Sequence, residues 1–261
     1  MIAIKLLAVP AVVWLASWAG RRWGHRISGL ISGFPLISAP VVLFLAVDAP
    51  RAFIAETAWF TMIVAPAVGA HCLTYAWLTR LTLPRRVHWV VCILAAWSAC
   101  LATQWLLSEY VVTAWWGALL AIGEMLLAAA CMPRPRRTVQ MPRIPATEIA
   151  VRMAAALLMA AVIILGAQSF GPRVSGMLLG FPITASVLPL FTLYLYGADA
   201  TIRLLSGFVT GLLGFVAYFF AFASLVLPLG PFPAFLAGAI ASVALVSLAL
   251  GWQLFKKVVA A

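Results

Sequence analysis

The feature that most constrains this chain is a succession of apolar runs, each about as long as a bilayer-spanning helix, which needs about 20 residues. One of them is RLLSGFVTGLLGFVAYFFAFASLVL, at 203–227. Hydrophobic residues make up 66% of the sequence and charged residues only 9%. The runs are continuous and do not alternate with a period of two, which favours helices over a transmembrane barrel. We therefore predict an all-α integral membrane protein.

Turn residues divide these runs into nine predicted transmembrane helices. The clearest turns are DAPR at 48–51, TLPRR at 82–86, MPRPRR at 132–137 and LPLGPFP at 227–233. The predicted helices cover 5–20, 27–47, 53–79, 87–107, 111–132, 147–168, 174–197, 203–227 and 232–254.

The basic residues indicate how the helices are oriented. The chain has 17 lysines and arginines and a formal net charge of +11. With nine spans, all of these basic residues except Lys5, Arg51 and Arg173 fall on one side of the membrane. The positive-inside rule then places the amino terminus in the periplasm and the carboxyl terminus in the cytoplasm. The charge is explained by orientation and by contact with anionic lipids, so we expect no nucleic-acid partner.

A thirteen-residue segment occurs twice. WGHRISGLISGFP at 23–35 aligns without gaps on FGPRVSGMLLGFP at 170–182, with seven identical positions. An odd number of spans separates the copies, which predicts two four-helix repeats of inverted orientation, a pattern found in many secondary transporters. The predicted units are repeat 1 at 1–107, a connector helix with a basic cytoplasmic loop at 108–146, and repeat 2 at 147–261.

Each copy also places prolines inside a predicted helix. Pro35 and Pro182 end the two copies, and Pro40 and Pro189 follow them. Because proline has no N–H group, it leaves the carbonyl four residues earlier without its helical donor, as at Ala185 before Pro189. In hydrocarbon such carbonyls need other partners. We therefore predict that helices 2 and 7 are kinked or unwound where they face protein or water.

The candidate substrate site lies between these two interrupted helices. Nearby hydroxyl groups are placed to cap the broken backbone or to contact a ligand. Gly29 and Gly33 form a small face that permits close helix packing, and Gly176 and Gly180 do the same. A packing seam and a ligand site both remain open for these glycines. The candidate site residues are Ser32, Gly33, Phe34, Pro35, Ser38, Gly180, Phe181, Pro182, Thr184 and Ser186.

Three charged residues are candidates for charge or proton coupling. Glu124 lies inside predicted helix 5, where a charge costs about 2.5–3.5 kcal/mol on insertion scales. It is either a proton-coupling group or a carboxylic acid that is hydrogen-bonded to a neighbouring helix. Arg26 and Arg173 would add positive charge at the two mouths of the site, which favours an anionic substrate.

Other polar residues are better explained by packing. His71 lies in predicted helix 3, and a structural role is favoured over contact with substrate or a proton. Arg152 follows Glu148 by four residues, and Arg203 follows Asp199 by the same spacing. Both pairs lie near predicted helix ends, so we expect local ion pairs there.

Enzyme chemistry and bound cofactors are not indicated. The sequence contains no GxSxG, HExxH or phosphate-cradling GxxxxGK[ST] motif. Its four cysteines form no CxxC pair and its three histidines show no metal spacing. We expect no catalytic residue, no metal site and no cofactor, and we interpret the cysteines as small buried hydrophobic residues.

The repeated unit resembles the GlpM-like small bacterial inner-membrane proteins. The similarity rests on ISGLISGFP at 27–35, VDAPRAF at 47–53 and the four-helix layout of each half. This resemblance implies a location in the bacterial cytoplasmic (inner) membrane and a link to envelope polysaccharide production. Those proteins carry one such unit, whereas this chain fuses two through helix 5. The family offers no catalytic residue to transfer.

Together these features predict a secondary transporter or exporter. Its substrate would be a small, preferably anionic metabolite or a lipid-linked intermediate. The alternative is an accessory membrane subunit of envelope polysaccharide biosynthesis that does not itself transport. The expected partners are membrane lipids and an unidentified small-molecule substrate. An oligomer or a partner subunit is compatible with either function.

Overall fold

The computed structural model describes residues 2–110, 114–136, 146–167 and 181–259, and every regular element in these ranges is a helix. The helices are α1 Ile2–Trp23, α2 His25–Gly33, α3 Ser38–Asp48, α4 Arg51–Ile63, α5 Ala65–Leu78, α6 Arg85–Tyr110, α7 Ala114–Cys131, α8 Ala146–Ala167, α9 Ile183–Tyr196, α10 Ala198–Leu229 and α11 Pro231–Val259.

Several of these helices are long and apolar enough to cross a membrane, as the sequence predicts. Large apolar side chains stand exposed on the outside of the bundle; Leu248, for example, is 71% exposed. Such a surface is expected where lipid, and not water, surrounds the helices. Within the described residues, the five long candidate spans are His25–Leu43, Arg51–Leu78, Arg86–Leu107, Ala198–Leu229 and Pro231–Trp252, and two shorter apolar helices are Trp115–Cys131 and Ile183–Tyr196.

The predicted interruption of helix 2 is present. Helix α2 ends at Gly33 and α3 begins at Ser38. Phe34 is extended, with φ −68° and ψ 156°, and its N–H donates to the Ile31 carbonyl at 3.3 Å. In a continuous helix, residue 35 would donate its N–H to this carbonyl, but Pro35 has no N–H group. For helix 7, the described part begins with non-helical residues 181–182 ahead of α9, and the preceding residues 168–180 lie outside the described ranges.

Two predicted helices differ from the structure in detail. The predicted third helix, 53–79, corresponds to the apolar span Arg51–Leu78, which is interrupted at Val64 and so forms α4 and α5. Pro66 explains the division, because it cannot donate to the Met62 carbonyl. The predicted eighth helix, 203–227, extends further at both ends, to Ala198 and Leu229. Glycines with positive φ adjoin these ends, which is the backbone conformation that glycine adopts without strain.

Helix α10 is the central helix of the bundle and packs against α2, α4, α5, α7, α9 and α11. Its backbone directly touches that of α2. A Cβ atom added to Gly33 would lie 2.9 Å from the Cα of Gly211, and the reverse distance is also 2.9 Å. Cβ atoms added to Gly29 or Gly207 would overlap the opposing backbone in the same way. Four glycines, two on each helix, therefore allow the two backbones to touch.

This crossing confirms that Gly29 and Gly33 form a packing seam. Their partners, Gly207 and Gly211 in SGFVTG, were not predicted, although they have the same i, i+4 spacing. The other predicted pair, Gly176 and Gly180, lies outside the described residues.

Polar contacts gather several chain segments at one end of the bundle. Arg80 Nη1 lies 3.3 Å from Asp199 Oδ1, and Arg80 Nη2 donates to the Arg134 carbonyl. The Arg136 backbone N–H donates to Asp199 Oδ1 at 2.9 Å. The segments that follow α5, α7 and α9 therefore meet at one end. The ion pair of Asp199 with Arg80 is not expected from the spacing along the sequence, because it forms only when the bundle brings the end of α5 to this carboxylate.

We predict that alanine at Gly211 destabilises the protein, whereas alanine at Gly123 does not. The new methyl at Gly211 would overlap the backbone of α2, and overpacking of this kind costs about 1–3 kcal/mol or more. Gly123 has no atom within 4 Å of its added Cβ, so Gly123→Ala is neutral or stabilises α7 by up to about 1 kcal/mol. Thermal unfolding of both variants in the same detergent measures the difference. Equal midpoints for the two variants would contradict the close crossing.

Candidate functional site

A cavity of about 50 Å³ lies where the break between α2 and α3 meets Phe181 and Pro182, the described end of the second copy. It is lined mainly by the end of α2, the residues that enter α3, the start of α9 and one face of α10. From α10, it is lined by Phe208, Leu212 and Phe215, which adjoin the glycine crossing. Seven of the predicted site residues line it: Ser32, Gly33, Phe34, Ser38, Phe181, Pro182 and Thr184.

Hydroxyl groups join the two segments beside this cavity. Thr184 Oγ1 donates to the Ser32 carbonyl at 3.4 Å, and that carbonyl lies in the last turn of α2, where no helical donor is available. The Ser32 hydroxyl donates to the Ser28 carbonyl of its own helix at 2.8 Å. The start of α9 thus caps the end of α2, as predicted for hydroxyls near the breaks.

Pro35, Ser186 and Arg26, which the sequence also predicts as candidates, do not line this cavity. Pro35 instead lines a separate, largely apolar cavity of about 180 Å³ between α3 and α11. Ser186 donates to the Pro182 carbonyl at 2.7 Å and accepts from Trp97 Nε1 at 2.9 Å, so its hydroxyl holds the first turn of α9. Arg26 belongs to the first turn of α2, away from the end that adjoins the cavity. Gly180 and Arg173 lie outside the described residues.

His71 has a partner that the sequence reasoning missed. Its Nε2 lies 3.1 Å from the Ala185 carbonyl and is fully buried. A carbonyl only accepts, so Nε2 carries the proton and donates. Ala185 is the residue whose carbonyl Pro189 leaves free. A side chain of α5 therefore replaces the backbone donor that the proline removes from α9, one turn beyond the cavity.

Glu124 faces α5. A Cβ atom on Gly69 would lie 2.7 Å from Glu124 Oε1, so the carboxyl group rests against the glycine backbone. Its Oε2 is buried and has no hydrogen-bond partner among the described residues. Glu124 is absent from the cavity wall, but Val68, the residue before Gly69, belongs to it.

The size and chemistry of the cavity limit what it can hold. One water needs about 10–15 Å³ of such volume, so about 50 Å³ accommodates a few waters or one small group. The described residues of its wall offer hydroxyl groups, helix ends and apolar side chains and carry no charge. Within the described ranges, His, Cys, Asp and Glu form no cluster that could hold a metal ion.

Comparison with known proteins gives no further identification. No protein-family model, no curated protein and no solved structure matches the chain. Functional inference therefore depends on the geometry of the site.

We predict that Pro189→Ala makes His71 dispensable for stability. In the natural sequence, His71→Leu leaves the buried Ala185 carbonyl without a donor, at a cost of about 1–3 kcal/mol. In the Pro189→Ala background, a backbone N–H becomes available for that carbonyl, so the same His71 substitution costs less. Unfolding of the two single variants and the double variant gives the coupling. Strictly additive effects would show that His71 does not replace the missing donor.

Proposed function

We propose that this protein is a secondary transporter or exporter whose substrate site is the cavity between α2, α9 and α10. The observation that supports the proposal is that Gly33 and Phe34 of the first GFP copy and Phe181 and Pro182 of the second, far apart in sequence, line this one cavity. Transporters with inverted repeats place their sites at interrupted helices near the middle of the membrane.

The helix ends around the cavity favour an anionic group on the substrate. Helices α3 and α9 begin beside it, at Ser38 and Ile183. The N-terminal end of a helix carries partial positive charge and unpaired N–H groups. The C-terminal end of α2 has the opposite polarity, but Thr184 already donates to one of its free carbonyls. A small metabolite with a carboxylate or a similar group, or the polar end of a lipid-linked intermediate, suits this arrangement.

The proposal includes the finer architecture inferred from the sequence. The chain would form nine spans in two inverted four-helix repeats joined by a connector helix. It would lie in a bacterial inner membrane with the amino terminus in the periplasm and the carboxyl terminus in the cytoplasm. The contacts of Arg80, Arg134, Arg136 and Asp199 at one end of the bundle support a common basic face.

The small cavity volume supports a closed conformation. Ligand sites for metabolites usually measure about 300–1,000 Å³, whereas this cavity measures about 50 Å³. A transport cycle would therefore widen the cavity by separating the start of α9 from the end of α2. The 3.4 Å contact between Thr184 and Ser32 is the contact that such a movement would break.

The small volume also favours a second candidate. A tightly packed seam suits an accessory subunit that organises a biosynthetic complex without moving a solute. Such a role in envelope polysaccharide production agrees with the resemblance to GlpM-like proteins.

We predict that Thr184→Val speeds transport that is limited by opening of the cavity, because it removes the contact that opening must break, whereas Thr192→Val does not. Thr184 donates across the break, but Thr192 donates to Leu188 of its own helix at 2.7 Å. Loss of one such hydrogen bond, about 1.4 kcal/mol, changes the rate by roughly tenfold. The measurement is solute flux into liposomes that contain the purified chain, screened with a metabolite library. Flux no greater than in empty liposomes would reject transport and leave the accessory role.

We predict that Glu124→Gln separates solute flux from proton movement. The carboxyl group rests against α5, which also contributes Val68 to the cavity wall, so its protonation can be linked to the site. A proton-sensitive dye in the same liposomes reports the coupled movement. Glu56→Gln is the matched control, because Glu56 is exposed on α4. Unchanged, still pH-dependent transport in Glu124→Gln would remove the coupling role.

A further inference from the structure

A buried cluster of charged and aromatic side chains lies at the end of the bundle where α2, α8 and α10 begin and α9 ends. Arg152 of α8 is only 1% exposed and forms an ion pair with Glu148. The Tyr196 hydroxyl donates to the other carboxylate oxygen of Glu148 at 3.0 Å. The His25 ring lies 5.2 Å from the Tyr196 ring, between centroids, and is 5% exposed. The sequence predicted the Glu148–Arg152 pair but not its burial.

Two arginines lie near the histidine of this cluster. His25 lies within electrostatic reach of both Arg152 and Arg203. Glu148 is the carboxylate that pairs with Arg152, and Arg203, which is partly exposed, follows Asp199 by four residues on α10. A buried guanidinium group is costly unless its N–H groups have acceptors, so the fully buried Arg152 needs more than one partner.

Apart from Arg152 Nη2, which lies in the ion pair with Glu148, three buried nitrogen atoms in this cluster have no hydrogen-bond partner among the described residues. They are Nε of Arg152, Nε of Arg203 and Nε2 of His25. They come from three different helices, α8, α10 and α2. Arginine carries fixed N–H donors that match the oxygens of phosphate, and a histidine nitrogen can donate as well. Unsatisfied buried donors on converging helices indicate a ligand that accepts hydrogen bonds.

We propose that Arg152, Arg203 and His25 form a binding site for a phosphate group. Arg152 is held in place by Glu148 and by the Phe191 ring, whose centroid lies 5.6 Å from its guanidinium carbon. This leaves its Nε and the nitrogens of the two other side chains to donate to phosphate oxygens. The phosphate belongs either to a free anion or to an anionic lipid headgroup.

This site is distinct from the cavity at the GFP segments. His25 precedes Ser32 by seven residues on α2, which corresponds to about 10 Å along the helix. The proposal does not depend on transport and is tested without a flux measurement.

The test is thermal unfolding of the purified full chain in neutral detergent, with inorganic phosphate against chloride at equal ionic strength. A ligand that binds only the folded state raises Tm. We expect phosphate to raise Tm of the natural protein, and Arg203→Gln to weaken this binding by at least about tenfold through loss of a charged hydrogen bond. Arg134→Gln is the matched control, because Arg134 is an exposed arginine at the basic end. Arg134→Gln should show the same increase in Tm with phosphate as the natural protein.

Additional measurements distinguish the two sources of phosphate. They also test the site if one variant does not fold. A Tm increase with phosphatidylglycerol but not with phosphatidylcholine or inorganic phosphate assigns the site to a lipid headgroup. His25→Gln provides a second variant, and equilibrium dialysis of inorganic phosphate against the natural protein needs no variant. The proposal is overturned if neither phosphate nor phosphatidylglycerol raises Tm. It is also overturned if Arg203→Gln and His25→Gln respond as strongly as Arg134→Gln.

Discussion

The close crossing of α2 and α10 is the contact on which the central part of this structure depends. Glycines on both helices let the backbones touch, which fixes the end of α2 at Gly33 against the middle of the longest described helix. The part of α10 that crosses α2 also forms one wall of the cavity, with Phe208, Leu212 and Phe215. The position of the cavity is therefore set by backbone contact, which no change of side-chain rotamer can relax.

The interrupted helices are stable in an apolar bundle because other elements supply the missing donors. Phe34 serves the carbonyl that Pro35 leaves free, Thr184 caps the end of α2, and His71 donates to Ala185. An unpaired carbonyl in such surroundings would cost several kcal/mol. The prolines thus create polar sites inside the bundle; a backbone N–H serves the Ile31 carbonyl, a histidine serves the Ala185 carbonyl, and a threonine caps the end of α2 beside the break.

Helices and their breaks could be predicted from the sequence, because they depend on neighbouring residues. Contacts between distant helices could not. Apolar runs predicted the helices, and Pro35 predicted the break after Gly33, because both effects act within a few residues. The crossing partner Gly207 has the required spacing, but nothing in a single sequence pairs it with Gly29. The ion pair between Asp199 and Arg80 was also not predicted, because Arg80 reaches this carboxylate from another element. Burial of Arg152 likewise depends on helices brought together by the fold.

The hydrogen bond from His71 to Ala185 makes α5 and α9 a single mechanical unit. Moving α9 alone would strip the Ala185 carbonyl of its donor in an apolar interior, so any displacement of α9 carries α5 with it. Helix α5 also rests, through Gly69, on the carboxyl group of Glu124 in α7. If α9 moved at the cavity, these contacts would carry the displacement across the bundle to an acidic group that does not touch the cavity. Pro189, by removing one backbone donor, creates this linkage.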